Sequence, residues 1–449
     1  MRTETDSLGT YDVPDDALYG IHTIRAYNNF RISDVPISDF PELISALAMV
    51  KKATARANNK LGVLNGDKTK AIETACDALL AGNHHQHFIV DMLQGGAGTS
   101  TNMNANEVIA NLGLQSMGHD FGDYTHLHPN DDVNKSQSTN DVYPTALRLS
   151  VLLRMDSLSF EHRRLSDAFE AKAREFDGIP KLGRTQLQDA VPMTLGQEFR
   201  SYANTIEEDI DRLRDVSKLL LEVNLGGTAI GTGVNTPANY TDVAVSQLAQ
   251  VSGFPVVAAR NLIEASSDLG AFVAFSGILK RVAVKLSKIC NDLRLLSSGP
   301  RSGFGEIHLP AVQAGSSIMP GKVNPVIPEV VNQVAFQVIG NDLTVTMAAE
   351  SGQLQLNAME PVAILNILQS IRVLKRAMAC LTDRCILGIE ADETRCRSLL
   401  ENSLAMATSL VPQIGYEKAA KVAKHALNND MSVGQALEAL GIDAKPMVI

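Results

Sequence analysis

The sequence predicts a mainly helical, all-α chain built around a long central bundle, and three observations carry that prediction. Aromatic residues are only 5% of 449 and Trp is absent, so Ala, Leu, Val and Ile carry the apolar load. Apolar residues recur at helical spacing almost without a break from Tyr143 to about Glu393. Several of those stretches also outrun an ordinary helix and must bury long apolar faces against one another.

Taken in order, the first 40 residues are punctuated by Gly9, Pro14, Gly20 and Pro36, with Pro41 directly after them, and read as turns. Helical patterning begins with Ile44, Leu47 and Val50 and runs to Leu61. From Gly95 to Asp141 the chain is rich in Gly, Asn, Thr and Ser, with Pro129, and reads as irregular. Beyond it Ile206, Ile210, Leu213, Val216, Leu220 and Val223 keep one helical face. Leu269 to Leu296 contains no proline and spans about 28 residues, or about 42 Å of helix. Pro361 opens another helix, with Ile364, Leu368, Ile371 and Leu374 on one face. The tail from Ile414 reads as two short helices, Ala419 to Leu427 and Val433 to Leu440. A three-part division follows: residues 1–140 with polar loops, 141–394 as the bundle, and 395–449 as a small helical unit. Faces apolar over more than half the circumference suggest burial by partner subunits as well.

A net charge of −10 argues against nucleic acid and anionic membranes as partners. The longest strongly apolar uncharged run, Leu269 to Leu279, is too short to span a bilayer. Five cysteines without a CxxC pair read as reduced thiols, and the first residues lack the apolar core of a signal peptide, so a cytoplasmic location is expected.

Chemistry concentrates in four donor-rich segments: Gly98 to Asn104, Asn134 to Asp141, Gly183 to Asp189, and Gly315 to Pro325. The last runs Gly-Ser-Ser-Ile-Met-Pro-Gly-Lys-Val-Asn-Pro, holds no acid, and feeds a helix start at Pro325 and Pro328. Each segment taken alone is turn and capping chemistry. Together they offer many fixed neutral donors, which suit carboxylates and a developing oxyanion. Lys322 supplies one strong positive charge, and a serine beside it, among exposed N–H groups, could serve as an unusual base. His84, His85 and His87, and likewise His126 and His128, invite a metal reading, but the i, i+1, i+3 spacing of the first group converges poorly. No metal and no cofactor is expected. The glycine-rich stretch Gly226 to Gly233 follows a helical pattern rather than a strand, which disfavours a nucleotide.

Gly315 to Asn324 resembles the defining G-S-S-x-M-P-x-K-x-N loop of the fumarase/aspartase superfamily. Thr99 to Asn106, His128 to Asp131, Ser138 to Asp141 and Gly226 to Gly233 resemble its other blocks, in the same order. The resemblance covers nearly the whole chain. It implies a three-domain subunit with a long helical bundle, in a homotetramer whose active sites draw on three subunits. It also implies elimination of fumarate from a succinyl compound. Within the superfamily, Gln186 stands where fumarases carry His, and Gly183 to Phe199, Gly95 to Asn104 and Val326 to Gln333 resemble the aspartate ammonia-lyase branch. A fumarase, or a lyase of N-substituted aspartates, is the nearest alternative; an inactive scaffold tetramer is a distant one. The resemblance makes Ser316 the general base for the C3 proton. It places Thr99, Ser138, Thr139 and Ser317 around the β-carboxylate, Lys322, Asn324 and Thr185 around the α-carboxylate, and Asn140 with Gln186 opposite the amino group. His128 resembles part of a secondary carboxylate site in fumarases and is not counted as catalytic.

Overall fold

The computed structural model describes residues 1–445. In chain order the elements are β1 (Arg2–Asp6), β2 (Gly9–Val13), α1 (Ile21–Asn29), α2 (Pro41–Lys60), α3 (Gly66–Leu80), α4 (Thr99–Met117) and α5 (Thr139–Glu175). They continue with β3 (Pro180–Thr185), β4 (Gln188–Thr194), α6 (Leu195–Ser217), β5 (Glu222–Val223), the short turn α7 (Thr228–Gly231), α8 (Tyr240–Ser252), β6 (Val257–Ala258) and α9 (Leu262–Ala265). The remainder are α10 (Gly270–Leu296), β7 (Ile307–His308), α11 (Val326–Glu350), α12 (Glu360–Arg384), β8 (Glu390–Ala391), α13 (Glu393–Glu401), α14 (Val411–Ile414), α15 (Tyr416–Asn428) and α16 (Val433–Ala439). The all-α expectation holds: every sheet among the described residues is a two-stranded pair. None of the described helices is long and apolar enough to cross a membrane.

The chain forms two compact units of interleaved segments. The first takes Met1–Leu158, Arg212–Lys280 and Gln337–Arg372; the second takes Ser159–Asp211, Arg281–Phe336 and Val373–Ile449.

In the first unit α2 packs against α3 and α8, and α3 against α4. Pro41 opens α2 at a position where its missing N–H costs nothing, and Asn65 caps α3 by accepting from Lys68 N–H at 2.8 Å. The N-terminal hairpin β1–β2 and α1 lie where only turns were expected. Helix α4 corrects the reading of 95–141 as irregular. It is buried over most of its circumference, so it shows no amphipathic stripe. Its asparagines instead satisfy distant backbone: Asn104 Nδ2 donates to His87 O at 3.0 Å and Asn111 Nδ2 to Leu18 O at 2.8 Å. Glu107, also buried, accepts from the N–H groups of Gly20, His22 and Thr23 and so fixes the start of α1.

In the second unit Leu182, Leu400, Met406, Leu410, Val422 and Leu437 share one apolar cluster, which seats α13, α15 and α16. A capping box of Ser432 and Gln435 begins α16. The long helices fall where the periodicity put them: α10 begins at Gly270, one residue after the expected Leu269, and α12 begins at Glu360, one residue before Pro361. A two-residue strand, β5, does precede Gly226, which corrects the purely helical reading there.

Candidate active site

The donor-rich segments fall into two groups, one in each unit. In the first unit the segment before α5 lies against the head of α4 and the glycine-rich turn. Gly96, Ala97 and Gly98 all take positive φ (86°, 53° and 83°) and swing the chain into α4. Gly98 is obligatory, because a Cβ there would sit 2.3 Å from the Tyr143 ring. Asn102 Nδ2 then donates to Thr139 Oγ1 at 3.2 Å and to Asn134 Oδ1 at 3.1 Å. Asp141 accepts from Ser138 N–H at 2.8 Å and from Gly226 N–H at 2.7 Å, stapling the two loops together. Asn140 Nδ2 donates to Ala229 O at 2.6 Å, and Ala229 is held at φ 60°, ψ −82°, a strained conformation for a residue with a side chain. Ser138 Oγ accepts from Asn140 N–H at 3.3 Å. A cleft of about 160 Å³ lies between Ser136 to Ser138 on one side and Thr228, Ala229, Val234 and Asn235 on the other. Its lining carries no ionisable side chain. Thr99 is exposed at the head of α4, with its hydroxyl donating to Gly96 O at 2.8 Å.

Beneath this group lies Lys51, which the sequence did not single out. It is fully buried and donates to Asn134 Oδ1 at 2.9 Å and Gln137 Oε1 at 2.8 Å. Burial pulls its ammonium down to about 7, while burial pushes the Asp141 carboxyl up to about 6. Only the fold reveals this pair, because Lys51 lies on α2, remote in sequence from the loops it supports.

In the second unit Gly183 to Asp189, read from sequence as turn and capping chemistry, is the tight hairpin β3–β4, with Thr185 opposite Gln188. Its two turn residues, Gln186 and Leu187, sit at φ 56° and 61°. Such turns favour Asn-Gly, and the Gln-Leu pair here costs about 1–2 kcal/mol per residue in strain. Thr185, Gln186 and Leu187 are all exposed. The hairpin base is anchored below: buried Glu306 pairs with Arg184 Nη1 at 2.9 Å and with Lys181 Nζ at 3.0 Å. Lys181 also pairs with Glu198, and the Arg184 guanidinium lies 4.2 Å from the centre of the Phe304 ring. The partnership of Glu306 with Lys181 and Arg184 was not legible in sequence, since no motif links it to a hairpin so far upstream.

Strain at an exposed turn points to use rather than stability. Leu187→Gly should keep or raise stability by up to about 1 kcal/mol, because glycine takes positive φ freely. Its kcat/KM should fall at least about tenfold as the tip loses its shape. Calorimetry and steady-state kinetics read the two effects separately. Lower stability with full activity would reverse the reading.

Glu306 leads through β7 into the loop bearing Ser316. That loop closes on itself: Gly315 N–H donates to Lys322 O at 2.9 Å, and Asn324 Nδ2 donates to Gly315 O at 2.5 Å. A side chain at Gly315 would meet Lys322 O at 2.5 Å, so the neck requires glycine. Inside the loop, Ser316 Oγ accepts from Ile318 N–H at 3.2 Å and from Met319 N–H at 2.9 Å. Two backbone donors therefore already point at the oxygen that would carry charge as an alkoxide. Ser317 and Lys322 are exposed. Lys322, Asn324, Ser297, Ser298 and Arg294 line a cavity of about 410 Å³, whose two cations suit an anion. Helix α11 starts directly after the loop, as the prolines predicted. Among the described residues no hydrogen bond or ion pair joins the hairpin tip to the 315–324 loop. Ser138, Thr139 and Asn140 are thus gathered in one group and Ser316, Ser317, Lys322 and Asn324 in another, while Thr185 and Gln186 stand on their own projection.

Residues 9–340 match the family model described as "Lyase", and residues 406–445 match "Fumarase C C-terminus". An aspartate ammonia-lyase of Pseudomonas canavaninivorans is 61% identical over 98% of this chain and 94% of its own length. The aspartate ammonia-lyase of Escherichia coli K12 is 54% identical over 98% and 93%. Among solved structures, a fumarate lyase:delta crystallin from Brucella melitensis bound to cobalt superposes with a TM-score of 0.97, at 61% identity, over 99% of this chain and 96% of that one. A class II fumarase from Schistosoma mansoni superposes at 0.93, with 33% identity, over 98% and 95%.

Proposed function

This chain belongs to the fumarase/aspartase superfamily of lyases, and from that premise we propose that it is an aspartate ammonia-lyase, a carbon–nitrogen lyase that converts L-aspartate reversibly into fumarate and ammonia. Relatives 54–62% identical along nearly the whole chain bear that name. The observation that carries the chemistry is the pair of N–H donors on Ser316 Oγ.

In this reading Ser316 Oγ, as an alkoxide whose own proton has gone to solvent, takes the C3 proton of aspartate and becomes a neutral hydroxyl. The electron pair moves into the β-carboxylate, giving an aci-carboxylate dianion, and then returns to form the C2–C3 double bond as the C2–N bond breaks anti to it. The amine leaves with that bonding pair. Extra charge at the intermediate resides on oxygen, so neutral donors at Thr99, Ser138, Thr139 and Ser317 stabilise it selectively. Lys322, with Asn324 and Thr185, holds the α-carboxylate through the rest of the cycle. Asn140 and Gln186 face the amino group. The division of donors between separate groups fits a homotetramer in which different subunits contribute loops to one site. Support comes from apolar groups left exposed beside those loops, Leu187, Ile318 and Met319, and from Phe336, Leu343 and Met347 along α11. The five cysteines are all free, which supports a cytoplasmic location.

The test is the ultraviolet absorbance of fumarate at equal enzyme. It should rise with L-aspartate and stay flat with L-malate. Turnover of malate alone would sink the proposal in favour of a fumarase.

A further inference from the structure

The segment between α4 and Pro129 lies outside all the loops discussed above, and its shape is set from below. Gly118 ends α4 in the left-handed conformation at φ 83°. Asn111, buried in α4, accepts from Gly122 N–H at 2.8 Å and donates to Tyr124 Oη at 3.3 Å. The Tyr124 hydroxyl in turn donates to Glu4 Oε1 at 3.1 Å. His126 N–H donates back to Asp123 O at 3.1 Å, closing a turn. This frame brings His119, Asp123 and His126 to one face. One ligand atom from each lies within 4.8 Å of the others. The two imidazoles are stacked, with centroids 3.7 Å apart and planes 9° from parallel. Asp123 Oδ2 stands 3.6 Å from His126 Nε2, and its other oxygen accepts from the Thr125 hydroxyl at 2.6 Å.

We propose that His119, Asp123 and His126 form a binding site for a divalent transition cation such as zinc, with water completing the coordination. Two imidazoles and one carboxylate are the donor set that borderline cations favour, and an open set of three leaves positions for solvent. Thr125 orients the carboxylate from behind, as outer-shell partners do at metal sites. A shared cation must lie near the plane of both rings, so one imidazole has to turn out of the stack. The side chain of His126 is 48% exposed and has room to do so. The sequence reading weighed His126 with His128; the fold pairs it instead with His119, seven positions earlier at the end of α4.

The probe is zinc chloride titrated calorimetrically into the full-length protein after treatment with chelator. One zinc per chain with a dissociation constant in the micromolar range is expected. His126→Gln, at an exposed position, should weaken it at least about tenfold, and Asp123→Asn should do the same. Far-UV circular dichroism checks that both variants fold, and cobalt absorbance gives a second readout of the coordination. Absence of saturable binding to the wild type would overturn the proposal. So would an unchanged dissociation constant in folded His126→Gln, since the zinc would then sit elsewhere.

Discussion

Ser316→Ala is expected to lower kcat by about a thousandfold or more while leaving the fold intact. A positioned general base contributes about 10²–10⁴ in rate, and Lys322, the one ionisable side chain in the loop, is assigned to the α-carboxylate and not to the C3 proton. The loss should appear in kcat and kcat/KM together, because proton removal is an interaction of the transition state alone. Stability should barely move. Ser316 makes only two turn hydrogen bonds in a largely exposed loop, so its removal costs about 1 kcal/mol at most. Stopped-flow or steady-state kinetics beside a thermal melt separates the two quantities. A variant retaining a tenth of the wild-type kcat would take Ser316 out of its role.

Lys322→Met is expected to act on binding more than on chemistry. The Lys322 ammonium is exposed beside the neck of the loop, and its backbone oxygen, not its side chain, closes that neck. The methionine therefore removes the charge and leaves the loop in place. A charge-assisted hydrogen bond to a carboxylate is worth about 1.5–3 kcal/mol, or roughly 10- to 150-fold. Most of that should appear as a raised KM for aspartate, with kcat changed far less, because the α-carboxylate carries the same charge before and after elimination. A kcat that collapsed while KM stayed constant would instead place Lys322 at the carboxylate where charge develops.

The long helices were legible because each keeps an apolar face at helical spacing, as α10 and α12 show. Helix α4 was not, because burial on nearly every side erases the periodicity on which such readings depend. Its polar side chains suggested a loop, yet they serve to tie down remote backbone. The β3–β4 hairpin escaped for a different reason. Its turn is built from Gln186 and Leu187, without the glycine that announces such turns, and the strain is carried by the fold. The donors of the candidate site could be picked out by type, since Ser, Thr and Asn concentrated in few places. Their supports could not. Lys51 under Asn134, and Glu306 beneath Arg184 and Lys181, meet their partners only after the chain has folded.

The most direct measurement is the product balance of the purified protein with L-aspartate, following fumarate and ammonium together from the first turnovers. Equal molar amounts of the two are predicted, with none from L-malate and almost none from Ser316→Ala. Fumarate from malate without any ammonium from aspartate would contradict both the ammonia-lyase reading and the place given to Gln186 and Asn140 opposite the amino group.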